Sequence, residues 1–155
     1  MSARDAEVTL RELNADNWLA CVNLELTDEQ RVFLAETNAV SIAESRFHPW
    51  MLPLAIYHGE EMVGFVMYSE TPDPRANSHW VHRLMIDHRH QGRGYGRAAM
   101  LEVIRRFRER PDCDTLWIGY DAANHVAQRF YASLGFIEQG EAPWGRDLVA
   151  RLDVR

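Results

Sequence analysis

The chain has no lysine: all 17 of its basic residues are arginine. A Schiff-base lysine, a P-loop lysine and a lysine general base are therefore excluded. Cysteine is scarce. Cys21 and Cys113 stand alone, too few and too isolated for a disulfide framework or a CxxC metal site. Free thiols are expected, as in a cytoplasmic protein. Long hydrophobic runs are missing as well. The longest, residues 50–57, contains Pro53 and falls well short of the ~20 residues that span a bilayer. The first residues are charged and form no apolar h-region, so neither a signal peptide nor a membrane partner is expected. Positive charge is in deficit. The 17 Arg face 23 Asp and Glu, for a net charge of -6. That argues against nucleic-acid binding, which needs a basic face to release counterions.

What remains is the composition of an ordinary globular protein. Hydrophobic residues make up 46% and charged residues 26% of 155 positions, which excludes a disordered chain and predicts a single domain over residues 1–155. Alternation predicts a strand at 7–13, and Asn14 can cap a helix through 24. Thr27-Asp28-Glu29-Gln30 has the form of a capping box, so a helix is predicted over 28–46, with Val32, Ala35, Ala39, Ile42 and Ala43 on one side. Residues 54–58 and 62–68 read as a hairpin joined by Gly59-Glu60-Glu61. Residues 80–86, 116–120, 136–140 and 148–154 read as strands, and 95–110 and 124–134 as helices. Tyr95, Ala99, Val103 and Phe107 recur at helical spacing on the first of these. The order β-α-α-β-β-β-α-β-α-β-β predicts an α/β fold of the α+β type, with a mixed sheet that is parallel where a helix intervenes.

The most informative stretch runs from Val81 to Met100. A strand passes through Asp87-His88-Arg89-His90 into Gln91-Gly92-Arg93-Gly94-Tyr95-Gly96, where a helix begins. Glycines let backbone approach a ligand closely. The first amides of a helix have no internal acceptor and lie at the positive end of its dipole. The turn thus suits a phosphate or pyrophosphate, with Arg93 and Arg97 adding guanidinium forks. Three ligand readings compete with a plain glycine turn. A P-loop fails for want of lysine. A dinucleotide turn fits Gly94, Gly96 and Ala99 literally, but too little chain follows for two βαβ halves. The third is the turn of an acyl-CoA site.

QGRGYG and Ala123–Phe136 (ANHVAQRFYASLGF) resemble the two signature segments of the GNAT N-acetyltransferase superfamily. With SIAESRF, LAIYHGEEMVGFVMY, RLMIDHRHQGRGYG and FYASLGFIEQGE the likeness extends over roughly residues 13–152, and is similar to the bacterial spermine/spermidine (diamine) acetyltransferase branch. The resemblance implies the GNAT acyl-CoA N-acyltransferase fold, acetyl-CoA as cosubstrate and no metal. It implies that Leu84, Met85 and Ile86 pair through their backbone with the pantetheine arm. Gln91, Gly92, Arg93, Gly94, Tyr95, Gly96 and Arg97 would form the pyrophosphate turn. Asn124 matches the family asparagine that contacts CoA, and Tyr131 the tyrosine beside the thioester sulfur. A homodimer is a frequent assembly in that superfamily.

Acetyl transfer to an amine needs a base, oxyanion donors and a proton for the departing thiolate. Tyr131 can give that proton, or simply pack beside Phe130. His82 stands where some polyamine acetyltransferases carry a glutamate. A histidine near its ordinary pKa of ~6.5 can act as base, or sit as a packed side chain; Tyr120 and a water chain are the alternatives. Arg83 either anchors a carboxylate within the sheet or is a solvated strand residue. His88 and His90 lack a third ligand nearby.

Charge is distributed unevenly. Residues 1–82 carry 5 Arg and 13 acids, residues 83–110 carry 8 Arg and 3 acids, and residues 111–155 carry 4 Arg and 7 acids. The positive segment coincides with the phosphate turn. The acidic one supplies Glu25, Asp28, Glu29, Glu36 and Glu44 as candidates for holding a cationic acceptor. The sequence therefore predicts an acetyl-CoA-dependent N-acetyltransferase for a small amine, with a polyamine first. The alternatives are another amine (amino-sugar antibiotic, amino acid or protein N-terminus), or a non-catalytic acyl-CoA-binding sensor on the same scaffold.

Overall fold

A computed structural model describes residues 6–34 and 36–155. Seven strands form one sheet in the order β1-β2-β3-β4-β5-β7-β6. They are β1 (Thr9–Glu12), β2 (Met51–His58), β3 (Glu61–Ser69), β4 (His79–Ile86), β5 (Thr115–Asp121), β6 (Ile137–Glu141) and β7 (Asp147–Asp153). The helices are α1 (Trp18–Val22), α2 (Asp28–Arg31), α3 (Asn38–Phe47), α4 (Tyr95–Arg108) and α5 (His125–Ser133). The mixed sheet and the predicted hairpin are present.

Strand pairing is antiparallel except between β4 and β5. Those two are the strands joined through α4, as a parallel crossover requires. Their contact is short: only His79, Trp80 and Val81 pair with Leu116, Trp117 and Ile118. Beyond Val81 the strands part, and the gap between them is the site described below. Pro53 fits within β2 because β1 reaches only as far as Leu54, so no ladder donor is missed on that side.

Helix α4 lies on one face. Tyr95, Ala99, Val103 and Phe107 are all buried, joined by Met100 and Ile104. They pack with Leu54, Ile56, Val66, Tyr68, Leu116 and Ile118. Phe107 meets Tyr68 edge-on at 5.3 Å and His79 at 5.1 Å. The opposite face carries Phe65, Met67 and Met85 beneath Cys21 and Leu24. Both cysteines are free and buried. Burial pushes the Cys21 thiol up to about 12, so it does not act as a thiolate near neutral pH.

The N-terminal third departs from the pattern reading. The single helix over 28–46 is two short ones. Thr37 accepts a hydrogen bond from the Val40 amide and starts α3 afresh, while α2 ends after one turn. Of the expected apolar side Ile42 packs against the core, but Val32, Ala39 and Ala43 are exposed, and Ala35 lies outside the described residues. Helix α3 instead buries Asn38 and Ser41, because Asn38 Nδ2 donates to the Cys21 carbonyl at 3.0 Å and ties α3 to α1. Asn14 does not cap α1. It exchanges hydrogen bonds with Asn17 in a turn, at 2.8 and 3.0 Å, and α1 begins at Trp18, three residues later than a cap at Asn14 would place it.

Candidate active site

The gap between β4 and β5 opens into a cleft of about 1120 Å³. Its walls are β4 from Val81 to Ile86, the turn into α4, the end of β5, α5, the α2–α3 segment and the β6–β7 loop. Leu84, Met85 and Ile86 line it and pair with β3 on their other side. Half of the polar groups of such an edge face away from their partner strand, free to receive an extended ligand.

The turn is built around one buried carboxylate. Asp87 is fully buried. It accepts from the Arg89 amide at 3.0 Å, Arg89 Nε at 2.8 Å and the Glu25 amide at 2.9 Å. Burial alone would raise its pKa, but the Arg89 guanidinium and the two amides outweigh it and hold the carboxyl at about 2. Gly92 and Gly94 then take positive φ values of 77° and 85°, a conformation that costs other L-residues strain. Gly94 occupies the N-cap position of α4 with no side chain to cap it, so the helix presents open amides to the cleft. A side chain at Gly92 would meet nothing within 4 Å, so this backbone is open to a ligand. Arg93 is exposed at the turn, and Arg97 Nη1 donates to Ser133 Oγ at 3.1 Å, placing it on the α5 side. The residues present therefore fit a pyrophosphate. Tyr95 contributes only backbone there, because its ring is core.

Gln91 has a different task. Its Nε2 donates to the Ile86 carbonyl at 2.9 Å, and its amide pairs reciprocally with Gln30 at 2.8 and 2.9 Å. Gln30 also closes the predicted capping box, in which Thr27 Oγ1 accepts from the Gln30 amide. One side-chain pair thus joins α2 to the turn, a connection that neither motif reveals alone.

Asn124 is the N-cap of α5, its Oδ1 accepting from the Ala127 amide at 3.1 Å, and it lines the cleft. Two turns later Tyr131 stacks on Tyr120 at 5.9 Å and meets Phe130 and Phe136 edge-on. Burial pushes its phenol well above the ordinary value, so it is a neutral proton donor at physiological pH. Tyr120 is also raised, to about 12, first by burial and then by its hydrogen bond to Glu138. That bond occupies the Tyr120 hydroxyl; Tyr131 has no hydrogen-bond partner among the described residues.

His82 lines the cleft. Its Nε2 lies 2.8 Å from Ser69 Oγ and 4.0 Å from Asp73 Oδ2, a carboxylate paired with Arg75 at 2.8 Å. Burial dominates and lowers its pKa to about 4, against the opposing pull of Asp73. The ring is neutral at pH 7, as expected, but a weaker base than the ordinary value suggests. His82 is also the extra residue of a β-bulge: Tyr68 pairs with Val81 and Met67 with Arg83. The bulge turns Arg83 onto the face of Met67 and Met85, the side covered by α1 and α3.

The acidic candidates scatter. Glu29 and Glu36 line the cleft. Glu25 and Asp28 instead flank Arg31 on the surface, at 3.7 and 3.4 Å, which offsets one of their two charges locally. Glu44 lies outside the cleft lining but near enough to act electrostatically on Arg83. Trp144 of the β6–β7 loop lines the cleft unforeseen. It packs edge-on against Trp80 at 5.8 Å, and Trp80 stacks on Trp117. Among the described residues no three His, Cys, Asp or Glu gather as a metal site, and no helix is long and apolar enough to cross a membrane.

Known proteins share this architecture. The chain is 25% identical over 146 residues to spermine/spermidine N(1)-acetyltransferase of Bacillus subtilis, covering 92% of this chain and 95% of that one. Spermidine N-acetyltransferase from Vibrio cholerae, solved with CoA and spermine, superposes with a TM-score of 0.73 at 17% identity, over 94% and 93% of the two chains. Ribosomal-protein-S18-alanine N-acetyltransferase from Escherichia coli gives 0.70 at 22% identity, over 95% and 94%. Residues 9–136, the span holding the turn, the uncapped helix and Tyr131, match the acetyltransferase (GNAT) family; the chain belongs to that family and is an acetyl-CoA-dependent N-acetyltransferase.

Proposed function

We propose that the enzyme transfers acetyl from acetyl-CoA directly to a primary amine of a small, cationic acceptor. The observation that carries this reading is the cleft itself, which joins the open amides of α4 to an unpartnered, neutral Tyr131 phenol. The pyrophosphate rests on the amides of Gly92 to Arg97, and the pantetheine arm adds to the free edge of Leu84–Ile86. The neutral amine nitrogen attacks the thioester carbonyl carbon. A backbone amide of the same edge receives the negative charge developing on the carbonyl oxygen. As the C–S bond breaks, Tyr131 donates its phenolic proton to the sulfur. The nitrogen's proton leaves by way of His82 or water in the cleft, and a proton returns to the Tyr131 phenolate from water to close the cycle. With a pKa of about 4, His82 serves as a transient acceptor that passes the proton on, not as a store for it.

Two observations support a cationic acceptor: Glu29 and Glu36 line the cleft, and the Bacillus relative is named for spermine and spermidine. A binding-only role gains no support, since a sensor has no use for a proton donor beside the sulfur. The test is thiol release from acetyl-CoA across a panel of polyamines, diamines, amino acids and amino sugars. A preference for small cationic amines that weakens with salt is expected. Turnover indifferent to charge removes the acidic-cleft part of the proposal; no release with any amine removes the whole.

A further inference from the structure

The acceptor side of the cleft contains a positive charge that the protein does not answer. Arg83 lines the cleft, and its Nε is shielded from solvent without a hydrogen-bond acceptor. None of its nitrogens lies within 4.0 Å of a carboxylate among the described residues. Charges drawn out of water in proteins are ordinarily paired, and Arg106 of α4, 33% exposed, has both Glu102 and the Tyr68 hydroxyl. Glu36 and Glu44 are near enough to favour the charged form of Arg83 but not to bind it. The position is also constructed. Without the bulge at His82, Arg83 would share the face of Val81 and point into the α4 core; the extra residue turns it to the acceptor side.

We propose that Arg83 anchors a carboxylate of the acceptor, so that the preferred substrate carries an amine and a carboxylate in one small molecule. The inference rests on the acetyl-transfer reading above and narrows it. The guanidinium fork matches a carboxylate bidentately, while Glu29 and Glu36 face the ammonium end. A bare polyamine meets the same acids but sets a cation against Arg83.

Matched pairs isolate the carboxylate: putrescine against ornithine, and cadaverine against lysine, each pair differing by that group alone. The wild-type enzyme should favour the amino acid in kcat/KM by about 10- to 100-fold, the worth of a hydrogen-bonded charge pair. In Arg83→Gln most of that ratio should vanish. Titration of the CoA-loaded enzyme with the same pairs reads the preference without turnover. Tighter binding of ornithine without any acetylation retains the Arg83 assignment and sinks the transfer reading. Equal or better use of the diamines by the wild type overturns the Arg83 assignment, as does an amino-acid preference that survives in Arg83→Gln. The wild-type ratio decides the matter even if that variant fails to fold.

Discussion

Asp87→Asn tests how the donor end of the site is held together. The carboxylate accepts from four donors on two segments: the Arg89 amide, Nε and Nη2 on one side, the Glu25 amide on the other. Asparagine has one acceptor oxygen. If it stays on Arg89, its NH2 faces the Glu25 N–H and two buried donors collide. An unmade buried hydrogen bond costs roughly 1–3 kcal/mol, and a charged acceptor is worth more, so a loss of about 3 kcal/mol is expected. For a domain of this size that lowers Tm by roughly 6–12 °C. The pH dependence identifies the cause. The folded carboxyl sits at about 2 against an ordinary 3.8. Below its ordinary pKa the unfolded chain takes up a proton that the folded one does not. The stabilisation is thus complete above pH ~4 and is lost as pH falls through about 2, amounting to about 2.4 kcal/mol. Urea melts at pH 7 and pH 3 should show the wild-type advantage over the variant shrinking by about 1 kcal/mol. Because Glu25 and Arg89 both loosen, KM for acetyl-CoA should also rise. An advantage that is absent at pH 7, or identical at both pH values, would refute the account of Asp87 as an ionised keystone.

Other outcomes follow from the same geometry. Tyr131→Phe should lower kcat by about 10²- to 10⁴-fold, the usual worth of a positioned proton donor, with CoA affinity nearly intact by titration; unchanged turnover removes the general acid. Gly94→Ala forces alanine to φ 85° and sets its Cβ 3.2 Å from Ala6, so it should cost about 1–2 kcal/mol and weaken CoA binding, both readable in one ligand-dependent melt. Acetyl-CoA at 100 times its Kd should stabilise the protein by about 2.7 kcal/mol, and NAD or ATP far less; equal shifts contradict a cleft shaped for pantetheine.

The turn and open amides proposed for the donor are legible in the sequence because their chemistry is local. Glycines at 92, 94 and 96 ahead of a periodic helix announce both the turn and the open amides, and the face of Tyr95, Ala99, Val103 and Phe107 followed from spacing alone. The acceptor half depends on contacts between distant segments. Nothing in an alternating strand marks His82 as a bulge, so the re-aiming of Arg83 was invisible. Burial, a tertiary property, lowers His82 from its ordinary pKa. Helix α3 was misread because its buried face holds Asn38 and Ser41, polar residues satisfied or shielded only after α1 packs on them. Glu25 and Asp28 looked like acceptor ligands until Arg31 stood between them. Asp87 carried a signal that could have been used: an aspartate two residues before an arginine, closing a strand, is the pattern of a turn that folds onto its own carboxylate.

The parting of β4 from β5 after Val81 has a consequence for how this enzyme can change. The place proposed for the donor is a seam in the backbone ladder, bounded by main-chain amides that every residue but proline supplies. Substitutions on the acceptor face can therefore exchange charges and shapes while the seam persists. Hydrogen exchange should report it directly, with the Leu84–Ile86 amides that face the seam slowing when acetyl-CoA completes the missing strand. A donor place made of main chain is thus indifferent to the side chains that choose the amine, and the two can be altered separately.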